Sequence, residues 1–137
     1  MKLFRPVGVA ELELIAASGW SAYPPRLSHQ PIFYPVLNFE YAEAIAKNWN
    51  TKDEVSGYAG FVTEFEIDDE FVARYDVQVV GSREDQQLWV PAEDLELFNQ
   101  NIEGLIEVTA HYFGGKFAGK IDSKSSLPTS VIDQISK

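Results

Sequence analysis

The sequence predicts one α+β domain, and three observations lead to this prediction. The chain has 137 residues, close to the commonest size of a domain, so one hydrophobic core is expected. Hydrophobic residues make up 45% of the chain and aromatic residues 13%, which supplies ample material for that core. Segments with apolar residues at helical spacing are mixed with segments in which apolar and polar residues alternate, as in strands.

Residues 1–31 predict a strand, a helix and an irregular loop. Residues 2–5 give a brief strand that Pro6 closes. Residues 20–31 contain three prolines and favour an ordered irregular loop, a type of segment that often carries function. Between them, a helix is expected because apolar residues recur at helical spacing. These residues are Val9, Leu12, Ile15 and Ala16.

Residues 32–67 predict a strand, a second helix and a longer strand. Residues 32–34 form a short strand that Pro35 ends, and Asn38 is a good N-cap for an amphipathic helix that extends to Trp49. The alternating segment that follows predicts a strand with one solvent-facing side. Its two faces are Phe61, Thr63, Phe65 and Ile67 on one side and Glu64 and Glu66 on the other.

Residues 68–112 predict a second strand-rich region. A helical turn is expected at the acidic triplet 68–70, whose charges suit a helix N-terminus. Residues 77–80 and 87–90 are expected to be strands, and Pro91 is expected to start a short helix. Residues 105–112 alternate between apolar and polar side chains and predict the last strand of the core.

The composition changes after Phe113 towards Gly, Ser and Lys. We therefore place the domain at residues 1–113 and interpret residues 114–137 as a flexible C-terminal extension that adds little to the core. Val131, Ile132 and Ile135 have the spacing of a small terminal helix, but a pattern this short is not stable alone.

The charge and hydropathy of the chain argue against two classes of partner. The 11 Lys and Arg against 21 Asp and Glu give a formal net charge of -10, which repels polyphosphate at long range, so no nucleic acid is expected. No segment approaches the roughly 20 apolar residues of a membrane helix, and the start has no apolar leader, so no membrane association and a cytoplasmic location are expected. A basic protein partner is compatible with the charge.

Several kinds of catalytic site lack their usual residues. Cysteine is absent, which excludes disulfides, thiolate metal sites and a cysteine nucleophile. His29 and His111 lie in different segments, and the acidic triplet is interpreted as a helix cap, so no metal site is predicted. Neither a Gly-x-Ser-x-Gly elbow nor a phosphate loop of the Gly-x-x-x-x-Gly-Lys type occurs.

Two residues at strand ends are candidates for a binding site. Arg5 ends the first strand beside a glycine-containing turn, where a cation can meet a phosphate or a carboxylate. Tyr34 ends the second strand, just before a turn and a helix N-terminus, where its hydroxyl can line a cleft. A surface ion pair for Arg5 and core packing for Tyr34 are equal alternatives.

A family resemblance rests on four short sequence segments and on their order along the chain. The segments are Leu3-Phe4-Arg5, Ile32-Phe33-Tyr34-Pro35, EYAEAIA at residues 40–46 and GFVTEF at residues 60–65. Over about residues 2–112 the chain resembles ADP-ribosyltransferase-like domains and a group of small bacterial proteins described as ADP-ribosylation or crystallin J1 related. The resemblance implies two small, mostly antiparallel sheets that form a cleft, with two to three helices. It also implies a nicotinamide dinucleotide (NAD) as cofactor.

The resemblance further implies roles for individual residues. Arg5 would contact the dinucleotide, and Tyr34 would shape the nicotinamide pocket. The family's third position, a glutamate on a later strand that assists transfer, falls on Gln87, with Glu84 and Glu93 as displaced substitutes. Gln87 and Glu93 are therefore the catalytic candidates. A glutamine can hydrogen-bond a ribose hydroxyl, but it has no negative charge to stabilise a positively charged reacting centre.

The leading hypothesis is an ADP-ribosyltransferase-like domain that binds a nicotinamide dinucleotide and whose transferase activity is weak or lost. The first alternative is a non-enzymatic acidic module that binds or neutralises a protein partner, as an immunity protein does. The second is a structural subunit of an oligomer, which would show as a large apolar surface patch.

Overall fold

A computed structural model describes residues 1–135, and it confirms the α+β class. Within this range the chain forms seven strands and five α-helices, where two to three helices were expected. None of these helices has the length and hydrophobicity of a membrane-spanning segment. The strands are β1 (Lys2–Val7), β2 (Ile32–Phe33), β3 (Ala59–Ile67), β4 (Val77–Val79), β5 (Gln86–Leu88), β6 (Val90–Pro91) and β7 (Ile102–Phe113). The helices are α1 (Val9–Ala17), α2 (Phe39–Asn48), α3 (Asp69–Val72), α4 (Leu95–Gln100) and α5 (Thr129–Ile135).

The central sheet is antiparallel and has the strand order β1-β3-β7. On the other side of β1, the chain around Val36 extends this sheet, because Val36 bridges both Phe4 of β1 and Gln87 of β5. Two further antiparallel pairs, β4 with β5 and β2 with β6, complete the strand pairing. Gln87 is therefore separated from β1 by a single chain segment.

The main core lies on one face of the central sheet and takes in the buried side chains of α1, α4 and α5. Aromatic rings dominate its centre. The ring of Phe98 packs edge-on against Phe33, Phe65 and Phe71 at centroid distances of 5.4, 5.9 and 6.1 Å. Such edge-on arrangements are favourable for aromatic pairs, so this cluster holds α3, α4, β2 and β3 together.

A smaller core lies on the opposite face of the sheet, beneath α2, where Val62 packs with Ala46. Gly60 permits this close approach, because a Cβ atom there would overlap the backbone of Ala46. The side of β3 that was expected to face solvent is therefore covered by α2 over part of its length. It is exposed towards Glu66 at the far end of the strand.

Strand β1 continues through Pro6 to Val7, two residues beyond its expected end. Phe4 exchanges both of its backbone hydrogen bonds with Val36, at 2.9 and 2.7 Å. Amides two residues apart point to the same side of a strand, so the position of Pro6 faces away from β3. The missing N–H of Pro6 therefore costs no bond to β3, and the strand does not end there.

The expectation that the segment after Phe113 adds little to the core is wrong for residues 114–135. Val131 of α5 is 0% exposed and Leu127 is 8% exposed, and both belong to the main core. Helix α5 packs against α1, which stabilises a helix too short to persist alone. Residue 113 is therefore not the edge of the core. The last two residues of the predicted extension lie outside the described residues.

Candidate functional site

A cavity of about 710 Å³ lies beside β1, α1 and the proline-containing loop. Its lining includes Arg5 from β1, Tyr34 from the end of β2 and Gln87 from β5. These three residues, predicted from separate segments of the sequence, therefore meet at one cavity. The volume is within the range of about 300–1,000 Å³ that is usual for small-molecule and cofactor sites.

Arg5 lies on the core face of β1, because side chains alternate along a strand and Leu3 and Val7 on either side of it are buried in the main core. Only 9% of its surface is exposed. Directly opposite it on β3 is Thr63, the polar residue in an otherwise apolar row. The pair interrupts the apolar face of the sheet where the cavity begins.

The guanidinium of Arg5 is held by Glu11 of α1 in a two-point contact. Arg5 Nε donates to Glu11 Oε2 at 2.6 Å, and Arg5 Nη2 donates to Glu11 Oε1 at 3.0 Å. Burial disfavours the charged form of Arg5, but the charge and hydrogen bonds of Glu11 outweigh burial and raise its pKa above the usual value. Glu11 lies in the first turn of α1, where the helix dipole favours a carboxylate.

The turn between β1 and α1 brings Glu11 back towards Arg5. Gly8 lies in this turn, and a Cβ atom at that position would overlap the backbone of Ser56. Val9 N also donates to Ser56 O at 2.9 Å. The chain can therefore begin a helix immediately after β1, which places a first-turn carboxylate within reach of the strand.

A row of hydrogen bonds fixes the backbone beneath Arg5. Thr63 Oγ1 donates to the Arg5 carbonyl at 2.8 Å, and the Tyr23 hydroxyl is 2.7 Å from Thr63 Oγ1. Because the threonine proton is donated to the Arg5 carbonyl, the tyrosine is the donor in the second bond. Burial raises the pKa of Tyr23 well above its ordinary value, which keeps its hydroxyl protonated.

A second arginine lies on the same side of the cavity. The Cζ atoms of Arg5 and Arg26 lie 4.7 and 5.8 Å from the centroid of the Phe33 ring. Arg26 Nε donates to the Ile32 carbonyl at 3.2 Å. Burial, followed by the nearby charge of Arg5, lowers the pKa of Arg26 below its usual value. Arg5, Glu11 and Arg26 together form the polar end of the cavity, where two cationic side chains lie close together.

Tyr34 and Trp89 form an aromatic wall, with their rings edge-on and their centroids 6.5 Å apart. The strand expected over residues 87–90 is in fact two strands, because Leu88 N donates to Pro35 O at 2.9 Å whereas Val90 pairs with Phe33. The break leaves Trp89 half-exposed between them. Tyr34 itself is 39% exposed and lines the cavity, so it is not a buried core residue.

A polar corner formed by Asn50, Asp53 and Ser56 also lines the cavity. Ser56 Oγ donates to Asp53 Oδ2 at 2.6 Å and accepts from Asn50 Nδ2 at 2.9 Å. Asn50 Oδ1 is buried with no hydrogen-bond partner among the described residues. The amide orientation is fixed, because the serine proton is already donated to Asp53.

Apolar side chains make up much of the remaining lining and are exposed there. Trp49 is 59% exposed and Val55 is 87% exposed, and Leu14 and Leu27 are similarly open. The arrangement of a mainly apolar lining with a few convergent polar groups is typical of a small-molecule site.

The catalytic candidates are not all at the cavity. Gln87 lines it, but Glu93 is exposed in a 3-10 turn after β6 and does not. Glu84 is also exposed and outside the lining, and its carbonyl accepts from Asn38 Nδ2 at 2.6 Å. The implied role of Glu93 as a displaced carboxylate therefore has no support from its position.

Sequence analysis missed two charged residues of this site. Glu11 lies within the predicted first helix, but the apolar pattern that predicts this helix gives Glu11 no role; its signal is an acidic residue in the first helical turn after an arginine-bearing strand. Arg26 lies in the irregular loop predicted over residues 20–31, and the loop pattern assigns it no role. Its contact with Phe33 depends on the path of that loop, which the sequence pattern does not encode.

No three His, Asp or Glu side chains among residues 1–135 are grouped closely enough to hold a metal ion. No family model matches the chain, and comparisons with curated proteins and with solved structures give no match either. The resemblance to ADP-ribosyltransferase-like domains therefore stays a prediction.

Proposed function

We propose that this cavity binds a nicotinamide dinucleotide in an ADP-ribosyltransferase-like domain whose transferase activity is weak or lost. The observation that carries the proposal is the convergence of Arg5, Tyr34 and Gln87 on one cavity. These residues come from three chain segments, and the resemblance assigns each of them a place beside the dinucleotide.

The chemistry of the lining suits the parts of such a ligand. The half-exposed rings of Tyr34 and Trp89 offer an apolar wall for a flat aromatic ring. The Arg5–Glu11 pair presents hydrogen-bond donors and acceptors side by side, a combination that matches a ribose diol. Because Glu11 neutralises Arg5, this pair is better suited to a neutral sugar than to a phosphate.

The same lining explains why we expect little transfer. Gln87 stands where the resemblance places a glutamate, and Glu93 does not reach the cavity. The carboxylates that do line the cavity are Glu11 and Asp53, and both are engaged, by Arg5 and by Ser56. Loss of one well-placed electrostatic stabiliser typically costs about 10²–10³-fold in rate.

Calorimetric titration with NAD tests binding. We expect the parent to bind and to melt at a higher temperature with NAD, because a ligand at 100 times its Kd stabilises the folded state by about 2.7 kcal/mol. Tyr34→Ala should weaken binding, whereas Leu105→Ala, on an exposed part of β7, should leave it unchanged. If the parent shows no heat of binding at millimolar NAD, the proposal fails.

Restoring the missing charge tests catalysis. Gln87→Glu should raise NAD hydrolysis above that of the parent, and Gln100→Glu, on the exposed surface of α4, is the matched control. Rapid hydrolysis by the parent, unchanged in both variants, would mean that another residue supplies the carboxylate and that the assignment of Gln87 is wrong.

A binding module for a protein partner is the second candidate function. The exposed apolar residues at the cavity, above all Trp49 and Val55, favour it because clustered exposed apolar groups mark interaction sites. This candidate predicts that NAD does not raise the melting temperature of the parent, and that Trp49→Ala and Val55→Ala abolish capture of a partner while the variants stay folded.

A further inference from the structure

The charges at the polar end of the cavity do not balance. Arg5 and Arg26 lie over the same phenylalanine ring, but the carboxylate that binds there, Glu11, is committed to Arg5. Among residues 1–135, Arg26 makes no ion pair within 4.0 Å. A local excess of positive charge is unexpected in a chain with a formal net charge of -10.

The two arginines also differ in the donors that they leave available. A guanidinium has five N–H groups, and Arg5 uses three of its nitrogens, on Glu11 and on the Tyr34 carbonyl at 3.3 Å. Arg26 is anchored through Nε alone, to the Ile32 carbonyl. Its two terminal nitrogens have no protein acceptor among the described residues and form a fork of the kind that binds phosphate or carboxylate oxygens.

The surroundings of Arg26 indicate what this fork would bind. Arg26 is half-buried and lies at a cavity lining, close enough to Arg5 for the two charges to repel each other. A carboxylate of the chain that relieved this repulsion would be expected if the role were purely structural. Asp53, the other carboxylate of the lining, is hydrogen-bonded to Ser56 and forms no ion pair with Arg26 within 4.0 Å. An anionic group of a ligand would supply the missing charge.

We infer that Arg26 is the anion-binding residue of the cavity and that Arg5 positions Glu11 and the backbone around it. The ligand group is a phosphate-type anion. In the dinucleotide it is the pyrophosphate, an identification that rests on the proposed function. The resemblance assigns the contact with the dinucleotide to Arg5. We assign the contact with its pyrophosphate to Arg26 and leave Arg5 as a positioning residue.

The test compares Arg26→Gln, Arg26→Lys and the exposed control Arg83→Gln in calorimetric titrations with three probes. ADP-ribose carries the pyrophosphate without nicotinamide, inorganic pyrophosphate carries the anion alone, and nicotinamide riboside carries the ring and sugar without phosphate. Circular dichroism melts establish that each variant folds.

We expect Arg26→Gln to weaken ADP-ribose about 10- to 100-fold, as for the loss of a charged hydrogen-bonding group, and Arg26→Lys to weaken it less. Nicotinamide riboside should bind all variants equally, and Arg83→Gln should match the parent. ADP-ribose affinity within twofold of the parent in folded Arg26→Gln would overturn the inference.

The probes separate this inference from the proposed function. If pyrophosphate binds through Arg26 but neither NAD nor nicotinamide riboside binds, the anion site stands and the dinucleotide proposal fails. If NAD binds equally well to Arg26→Gln and to the parent, the dinucleotide proposal stands and the role of Arg26 is overturned. If pyrophosphate and ADP-ribose both fail to bind the parent, Arg26 is not an anion-binding residue.

Discussion

Strand β1 carries two ion pairs that differ in their geometry and in the burial of the cation. Lys2 Nζ lies 3.4 Å from Glu64 on the neighbouring strand, with side chains that are 51% and 24% exposed. Arg5 contacts Glu11 at two points, with side chains that are 11% and 21% exposed. Three residues along one strand thus separate a surface pair from a buried one, because they place the two cations on opposite faces.

The two pairs are expected to contribute very differently to the stability of the protein. An exposed pair gains little, typically below about 1 kcal/mol, because water and salt screen it and two long side chains must be held still. A buried guanidinium has lost its water and depends on its partner, so removing that partner is costly. The buried pair also borders the cavity, which makes it the pair that shapes the candidate site.

The largest effect is expected when Arg5 loses its partner. Glu11→Gln should destabilise the protein by about 3 kcal/mol, because a buried charge is left without compensation. Glu64→Gln, the same change at the surface pair, should cost less than about 1 kcal/mol. Urea unfolding measures both, and equal losses in the two variants would contradict the comparison.

A smaller effect is expected when the cation is removed instead. Arg5→Met should cost about 1–3 kcal/mol, because Glu11 is then unpaired but sits at the cavity, where water can reach it. Lys2→Met should change stability by less than about 0.5 kcal/mol. Urea unfolding should show a larger loss in the free energy of unfolding for Glu11→Gln than for Arg5→Met. The reverse order would mean that the aliphatic packing of Arg5 matters more than its charge.

The hydrogen bonds beneath the buried pair should contribute less than the pair itself. Tyr23→Phe removes the bond to Thr63 and should cost about 1 kcal/mol, because Thr63 keeps its bond to the Arg5 carbonyl. Thermal denaturation followed by circular dichroism measures this loss. A loss above that of Glu11→Gln would show that the hydroxyl row, not the ion pair, maintains this part of the sheet.

The smallest expected effect is the contribution of the Lys2–Glu64 pair to stability at high salt. At 1 M NaCl the Debye length is about 3 Å, so the contribution of the Lys2–Glu64 pair should vanish. The losses in Lys2→Met and Glu64→Gln should then fall to within error, while those in Glu11→Gln and Arg5→Met persist. Repeating the urea experiments at low salt and at 1 M NaCl provides this measurement.

The sequence was informative where a local pattern decides the outcome. Alternation along β3 predicted its apolar face, and Arg5 and Tyr34, chosen because strands were predicted to end there, both line the cavity, although β1 continues to Val7. The contacts that could not be predicted are those with residues far away in the chain. Nothing in the vicinity of Arg5 shows that Gly8 packs on Ser56 and thereby turns Glu11 back, and nothing in the loop shows that Arg26 reaches Phe33.

The C-terminal segment illustrates the same limit in packing. Its Gly, Ser and Lys content resembles that of a linker, yet Val131 is buried against the helix that begins at Val9. A helix of seven residues gains its stability from the surface it covers rather than from its own propensity, and that surface is assembled by residues far away in the chain.

The antiparallel register of β1 has a consequence for how the chain folds during synthesis. Val7 pairs with Phe61 and Lys2 pairs with Glu66, so β1 must wait for residues more than fifty positions later before it can pair with β3. At a translation rate of about 5–20 residues per second, that interval is roughly 3–12 s. Until β3 is made, the backbone groups of β1 that pair with β3 have no partner, and Leu3 and Val7 have no core in which to be buried. Apolar side chains that are exposed during synthesis favour aggregation, so this interval is one in which the chain needs protection.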